Sequence, residues 1–178
     1  MEIAIREIDR HNLQDVNIAG STFTVDSELV LQAEDGVIRY TVTHIPPHQK
    51  HYPPDEIDYA SYVGHPDKAI FLAYVDGECA GQIRLRRNWN QYAYVEDIVV
   101  DVHFRRRGVG RALMERAIEW AKAKHLAGIM LETQNNNVAA CRLYERCGFV
   151  LGGFDRYLYK GLIPDTEEIA LYWYLVFG

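Results

Sequence analysis

The fold is decided by residues 92–113, YAYVEDIVVDVHFRRRGVGRAL. The first half of this stretch is rich in β-branched and aromatic residues, which is typical of a strand. A basic loop containing glycine follows, and apolar residues at helical spacing from Leu113 predict a helix that begins near Arg111. In a glycine loop between a strand and a helix, backbone N–H groups converge on one point, and the positive end of the helix dipole lies beside them. Such a loop can therefore bind an anion. We therefore predict a binding site for a pyrophosphate group.

Two common phosphate loops do not fit this stretch. A P-loop requires Lys and then Ser or Thr after its last glycine, whereas Gly110 is followed by Arg111. A dinucleotide-binding loop requires a third small residue at the position of Leu113. The spacing Arg105-x-x-Gly108-x-Gly110 instead resembles the acyl-CoA loop of the GNAT superfamily of N-acetyltransferases.

A second motif that resembles the same superfamily follows further along the chain. It has the pattern Asn137-x-x-Ala140-x-x-x-Tyr144-x-x-x-Gly148-Phe149. In GNAT enzymes the corresponding helix carries an Asn that contacts CoA and a Tyr near the thioester sulfur. The resemblance therefore has two motifs, in the order that the superfamily uses.

A closer resemblance is to streptothricin acetyltransferases, which acetylate a peptide-like nucleoside antibiotic. It is carried by RLRRNWNQYAYVEDIVV, EWAKAKHLAGIMLETQNNNVAACRLYERCGF and ALYWYLVF, and the N-terminal part has no such match. The resemblance implies transfer of acetyl from acetyl-CoA to a primary amine of a cationic antibiotic, namely the β-lysine amine of streptothricin. The alternatives are an enzyme that acetylates proteins or peptides and a non-catalytic module that binds acyl-CoA.

The predicted elements are strands followed by a βαβα run and two final strands. Strand patterns occur at residues 3–8, 36–45, 69–75, 78–86, 92–102, 128–133, 149–160 and 168–177, and helix patterns at residues 110–125 and 135–149. This order predicts an α/β fold of the mixed α+β kind, with a mostly antiparallel central sheet and helices on both faces, as in GNAT acyl-CoA N-acyltransferases. We expect a single domain, residues 1–178. Its parts are a substrate-side segment (1–64), an acetyl-CoA-binding core (69–149) and C-terminal strands (149–178).

Three local signals complete the prediction. Asp76-Gly77 between two apolar runs predicts a tight hairpin. The prolines of residues 46–54 predict a loop outside regular structure, and Asp55 is expected to cap a short helix over residues 55–64. Residues 21–34 carry no clear pattern.

Composition narrows the classes of partner. The net charge of −6 argues against nucleic acid as a partner and suits a cationic small molecule.

No apolar run approaches the roughly 20 residues that cross a bilayer, and the alternating N-terminus predicts a strand. We therefore expect a cytoplasmic protein without membrane contact. The three cysteines form no CxxC pair and the histidines have mixed spacings, so we predict reduced thiols and no metal site. Homodimers are frequent in the superfamily, and the sequence leaves this open.

The resemblance implies a set of residues that bind acetyl-CoA. Backbone N–H groups of residues 105–111 would hold the pyrophosphate, and residues 98–100 would pair edge-on with the pantetheine. The arginines at 105–107 would either contact phosphates or remain solvated surface charges. The implied set is Ile98, Val99, Val100, Arg105, Arg106, Arg107, Gly108, Val109, Gly110, Arg111, Asn137 and Tyr144.

Acetyl transfer to an alkylamine requires two proton transfers. The amine has a pKa of about 10.4 and is protonated at neutral pH, so a base must remove a proton before the nitrogen attacks. The CoA thiolate that leaves then takes up a proton. Tyr144 is the candidate acid, and the alternative is a helix tyrosine packed in the core.

Glu96 and Asp97 are the candidate bases. They interrupt an apolar strand, where a carboxylate is costly unless it has a partner. By simple alternation, Glu96 shares a face with Tyr94 and Ile98, whereas Asp97 faces the other way with Val95. Glu96 is preferred, but Asp97 or a water relay would also serve, and either carboxylate can instead be a structural hydrogen-bond acceptor.

The candidate contacts to the substrate lie in an acidic, aromatic stretch and on the same strand. Asp55, Glu56 and Asp58 stand beside several tyrosines and would hold a cationic group by charge and cation–π contacts. A solvated loop explains these three residues equally well. Tyr94 and Glu96 complete the candidate substrate-binding set.

Overall fold

The computed structural model describes all 178 residues, with nine strands and two α-helices. The strands are β1 Ile3–Glu7, β2 Phe23–Glu34, β3 Val37–Lys50, β4 Lys68–Val75, β5 Glu78–Arg87, β6 Ala93–Val100, β7 Gly128–Gln134, β8 Val150–Asp155 and β9 Ala170–Val176. The helices are α1 Val109–Ala123 and α2 Val138–Arg146. Neither helix combines the length and the apolar character that crossing a bilayer requires.

The chain divides into two compact units, and neither is a continuous segment. The first contains residues 1–22, 51–129 and 177, and the second contains residues 23–50, 130–176 and 178. Seven strands belong to one sheet, and β2 and β3 form a separate one. In the first unit the strand order is β1-β4-β5-β6, with every neighbouring pair antiparallel. In the second unit the order is β7-β9-β8, and β8 and β9 are antiparallel.

The hairpin of β4 and β5 lies at the centre of the first unit. Asp76 and Gly77 form its turn with φ of 49° and 90°, the positive values that a two-residue turn of this kind needs, so the prediction of a hairpin is confirmed. Seven of the eight residues of β4 are buried, because both faces of the strand are covered. Helix α1 contacts β4 and β5, and Ile70 and Leu72 pack with Ile8 and Tyr62 in a separate cluster.

Gly81 in β5 allows α1 and β6 to approach this strand closely. A Cβ at Gly81 would lie 2.6 Å from the carbonyl oxygen of Val99 and 3.3 Å from Cδ1 of Leu113. Real Cβ atoms do not approach a backbone oxygen so closely, and backbone cannot move aside as a flexible side chain can. The absence of a side chain at this position therefore sets the spacing of β5, β6 and α1.

The second unit corrects two predictions. Residues 21–34, which carry no clear pattern, contribute the long strand β2, and Asp35 and Gly36 turn the chain into β3 with φ of 51° and 75°. The predicted loop over residues 46–54 is wrong at its start, because β3 continues to Lys50 through two prolines. The register shifts there, from Ser27 opposite His44 to Val25 opposite His48. The prolines lie within this irregularity, where the ladder requires no N–H donor.

Asn135 joins separate segments of the second unit by four hydrogen bonds. Its backbone N–H donates to Ile169 O at 3.0 Å, and its side-chain oxygen accepts from Ile169 N at 2.9 Å. Its backbone oxygen accepts from Leu29 N at 2.8 Å, and its amide nitrogen donates to Leu29 O at 3.2 Å. The side chain is 5% exposed. A single buried amide thus joins β2 to the segment that leads into β9.

Three predicted boundaries are also wrong. The helix over residues 55–64 is a single 3₁₀ turn, Tyr59–Tyr62, whose N-cap is Asp58 and not Asp55. The strand expected over residues 149–160 ends at Asp155, because the carboxylate of Asp155 accepts hydrogen bonds from two backbone N–H groups that follow it. Helix α1 begins at Val109, two residues before the predicted start.

Replacing Gly81 with Ala should destabilise the protein by about 1–3 kcal/mol, the usual effect of forcing a methyl group into a packed site. Chemical denaturation of the variant measures this. Gly161→Ala is the matched control, because a Cβ there would meet no atom within 4 Å. Equal stability of both variants and the wild type would contradict the close approach described above.

Candidate active site

The loop between β6 and α1 is fixed by Asp101 and Arg105. Asp101 caps the 3₁₀ turn Val102–Phe104, and its carboxylate accepts from the backbone N–H groups of His103 at 3.0 Å and Gly20 at 3.1 Å. Arg105 donates through Nε to Val100 O at 2.9 Å and through Nη2 to a second backbone carbonyl, that of residue 22, at 2.6 Å. The Arg105 guanidinium therefore holds the loop in place, and the residue is partly buried.

Gly108 begins α1 in a left-handed conformation, with φ of 86°. Glycine suits this position, since a side chain disfavours positive φ. The first hydrogen bond of the helix runs from Ala112 N to Gly108 O at 3.0 Å. The N–H groups of Val109, Gly110 and Arg111 therefore have no acceptor within the helix. They form the kind of helix start that binds phosphate.

The remaining arginines of the loop differ from Arg105. Arg106 is exposed and has a left-handed φ of 58°, and the Arg107 guanidinium lies 5.9 Å from the ring centre of Phe104. Arg111 is exposed and paired with Glu115 at 2.9 Å. Arg106 and Arg107 thus stay candidates for phosphate contact, whereas Arg105 has a structural task.

An irregular step in β6 positions the two candidate bases. Arg84 of β5 is opposite Asp97, and the next residue, Leu85, is opposite Val95, so Glu96 is an extra residue between two consecutive pairs. Directly paired residues point to the same side of a sheet, so Asp97 and Val95 point to opposite sides. The assignment of faces by simple alternation is therefore wrong, because it counted across this bulge.

Glu96 is held by a side chain from outside its own strand. The hydroxyl of Tyr62 donates to Oε1 of Glu96 at 2.9 Å, and Nε of Arg86 lies 4.0 Å from Oε2. The Glu96 side chain is 21% exposed. It therefore has one oxygen engaged by a neutral donor and a second oxygen with no donor at hydrogen-bond distance.

Asp97 belongs to a different hydrogen-bond group. It accepts from Nε2 of Gln82 at 2.9 Å, and Gln82 also exchanges two hydrogen bonds with Asn17, at 2.7 and 3.0 Å. Burial raises the pKa of the Asp97 carboxyl, although the Gln82 hydrogen bond and the Arg84 charge lower it. Asp97 thus connects β6 to the turn that contains Asn17.

The acidic stretch before β4 is anchored by a buried arginine. Arg84 is 3% exposed and forms an ion pair with Asp55, and its Nε has no hydrogen-bond partner. Because Asp55 is already paired, it is less suited to hold a substrate than Glu56 and Asp58, which are exposed. Tyr94 is partly exposed, with the guanidinium of an arginine 4.9 Å from its ring centre.

The second unit contains the other predicted residues. Tyr144 is 4% exposed, and its ring packs at 5.9 Å from that of Phe149 and at 6.3 Å from that of Trp173. Asn137 caps α2, since its side-chain oxygen accepts from Ala140 N at 3.3 Å. The side-chain oxygen of Asn137 is therefore used for capping, and contact with CoA stays a prediction for its amide nitrogen.

Sequence reasoning missed the residues that support the carboxylates, Gln82 and Arg84, and gave Tyr62 no task at Glu96. A signal for the first two was present, because Gln82 and Arg84 alternate with apolar residues in the middle of β5. Polar side chains that are buried in such a stretch require partners. No cluster of His, Cys, Asp or Glu suited to a metal ion is present.

Comparisons with known proteins identify the family. The chain matches the acetyltransferase (GNAT) family over residues 36–149. It is 41% identical over 174 residues to streptothricin acetyltransferase A of Bacillus subtilis (strain 168), a match that covers 97% of this chain and 99% of that protein.

Two solved structures resemble the whole chain. One, from Bacillus anthracis str. Ames, is described as a streptothricin acetyltransferase in complex with acetyl coenzyme A; it has a TM-score of 0.93 and 44% identity and covers 99% of this chain and 100% of that one. The other is a nourseothricin acetyltransferase, with a TM-score of 0.81, 32% identity and 99% of each chain covered. The large mixed sheet and two α-helices found here are those of the GNAT fold, and the chain belongs to the acetyltransferase (GNAT) family.

Proposed function

We propose that this chain transfers acetyl from acetyl-CoA to a primary amine of streptothricin and thereby gives resistance to that antibiotic. The observation that carries the proposal is the similarity to streptothricin acetyltransferase A along nearly the whole chain, including the N-terminal part. Acidic composition supports a cationic small molecule as the partner and argues against nucleic acid.

The residues of the first unit suit acetyl-CoA, which supplies the acetyl group as a thioester. The N–H groups that begin α1 would bind the pyrophosphate, with Gly108 keeping the approach open. Ile98, Val99 and Val100 are apolar yet only partly buried, as expected of a strand edge that pairs with the pantetheine.

Glu96 is the proposed base. Its oxygen Oε2 would take a proton from the protonated amine, and the neutral nitrogen would then form a bond to the acetyl carbonyl carbon as the C–S bond breaks. The nitrogen would lose its second proton to solvent, which leaves a neutral amide. The raised pKa of Asp97 makes that carboxyl the competing candidate. Geometry favours Glu96, because Asp97 is committed to Gln82 and to the turn at Asn17, whereas one oxygen of Glu96 has no donor within hydrogen-bond distance.

Tyr144 is the proposed acid, whose hydroxyl would protonate the departing thiolate. The support is the resemblance of residues 137–149 to the helix that carries this tyrosine in GNAT enzymes. The burial of its ring against Phe149 and Trp173 fits either an ordered catalytic hydroxyl or a core residue. Turnover of a variant without the hydroxyl separates these two roles.

A thiol-release assay with acetyl-CoA and a panel of amines tests the activity. We expect streptothricin to give a higher kcat/KM than aminoglycosides, polyamines or short peptides. Turnover of a peptide without turnover of streptothricin would contradict the proposal and favour the protein N-acetyltransferase. Binding of acetyl-CoA without turnover of any amine would favour the non-catalytic module.

The variant Glu96→Gln should lower kcat/KM on the order of 100-fold, because an amide cannot accept the amine proton. The pH profile of kcat/KM should also lose its acidic limb. Glu78→Gln is the matched control, since Glu78 is exposed in the hairpin of β4 and β5. If Glu96→Gln keeps the wild-type kcat/KM and the acidic limb of the pH profile while Asp97→Asn loses both, Asp97 is the base instead.

Tyr144→Phe should lower kcat on the order of 100-fold and leave the affinity for acetyl-CoA nearly unchanged, because only the proton donor is lost. The ring that packs on Phe149 and Trp173 is retained, so thermal unfolding should change little. Tyr157→Phe is the control, since Tyr157 is 72% exposed. Wild-type turnover of Tyr144→Phe would remove Tyr144 from the role of acid.

A further inference from the structure

Tyr62 is a buried tyrosine to which the proposed reaction assigns no role. It ends the 3₁₀ turn Tyr59–Tyr62 and is 5% exposed, packed among Ile8, Ile70 and Leu72. A phenylalanine would fill the same space among these apolar side chains. The hydroxyl is therefore the part of Tyr62 that packing does not explain, and its partner is Glu96 at 2.9 Å.

We infer that Tyr62 is a positioning residue for the proposed base Glu96. Its hydroxyl engages Oε1 and thereby presents Oε2 to the amine. This inference rests on the proposed function, in which Glu96 accepts the amine proton. The cation nearest to Oε2, Nε of Arg86, lies 4.0 Å away and does not occupy that oxygen.

The segment that contains Tyr62 is held firmly enough to position a carboxylate. The ammonium of Lys68 lies 4.5 Å from the ring centre of Tyr62 and donates to Oγ of Ser61 at 2.7 Å. At the start of the segment, Asp55 is paired with the buried Arg84. A second tyrosine, Tyr59, donates its hydroxyl to the backbone oxygen of Asp55 at 2.6 Å. Contacts of residues before and after Tyr62 in the chain thus hold its hydroxyl in place.

The protonation of Tyr62 suits a permanent donor. Burial and the hydrogen bond to Glu96 raise the pKa of Tyr62 to about 12, so the hydroxyl keeps its proton throughout the neutral range. A carboxylate that loses a hydrogen-bond donor holds its own proton more tightly. The other ionisable groups near this site are Lys68 of β4, Arg84 and Arg86 of β5, Asp97 of β6, and Asp55, which is paired with Arg84.

The test compares Tyr62→Phe with Tyr157→Phe, each made in the wild type and in Glu96→Gln. We expect Tyr62→Phe to lower kcat about 10-fold and to move the acidic limb of the kcat/KM profile to higher pH, with KM for acetyl-CoA unchanged. In the Glu96→Gln background it should have no further effect, because the partner carboxylate is gone. Tyr157→Phe loses the hydroxyl of a residue that is 72% exposed and should leave the limb in place.

The outcomes separate the inference from the proposed function. If Tyr62→Phe lowers kcat equally in the wild type and in Glu96→Gln, the inference alone is overturned. The same holds if Tyr62→Phe keeps the wild-type pH profile while Glu96→Gln is slow. Full activity of Glu96→Gln overturns the proposed base and this inference with it. If Tyr62→Phe unfolds, 3-fluorotyrosine at position 62 retains the ring and is a stronger donor. The acidic limb should then move to lower pH, and an unmoved limb overturns the inference.

Discussion

The proposed site depends on the place at which α1 begins. Arg105 fixes that place, because its guanidinium holds the carbonyl oxygen of Val100 at the end of β6 and a second backbone carbonyl from the start of the chain. Gly108 then turns the backbone into the left-handed region, and the helix starts with N–H groups that its own turns leave unpaired. Gly81 allows the same helix to pack closely against β5. Without this arrangement the pyrophosphate of acetyl-CoA would have no ordered donors to meet.

Two neighbouring carboxylates of β6 lie in different environments. Glu96 meets a hydroxyl from the 3₁₀ turn that precedes β4, whereas Asp97 meets the amide of Gln82. The strand can therefore supply one carboxylate for structure and one for chemistry. The segment that delivers Tyr62 belongs to the N-terminal part, where substrate selectivity is expected to lie.

The sequence predicted those features that depend on a few neighbouring residues. The hairpin at Asp76-Gly77 follows from the backbone freedom of glycine, and this prediction is confirmed. The faces of Glu96 and Asp97 were not predictable by counting, because a bulge is a property of the pairing with β5. The same holds for β3, whose prolines are tolerated only where its register against β2 shifts. The Tyr62–Glu96 hydrogen bond joins residues 34 positions apart, and no local pattern contains it.

The central claim is that backbone amides at the start of α1 bind the pyrophosphate of acetyl-CoA. Amide NMR signals measure this directly, in titrations with acetyl-CoA and with acetyl-pantetheine, which lacks the pyrophosphate. We expect the signals of Val109, Gly110 and Arg111 to shift with acetyl-CoA and to stay in place with acetyl-pantetheine. Equal shifts with both compounds, or no shift at these three amides when acetyl-CoA saturates the protein, would contradict it.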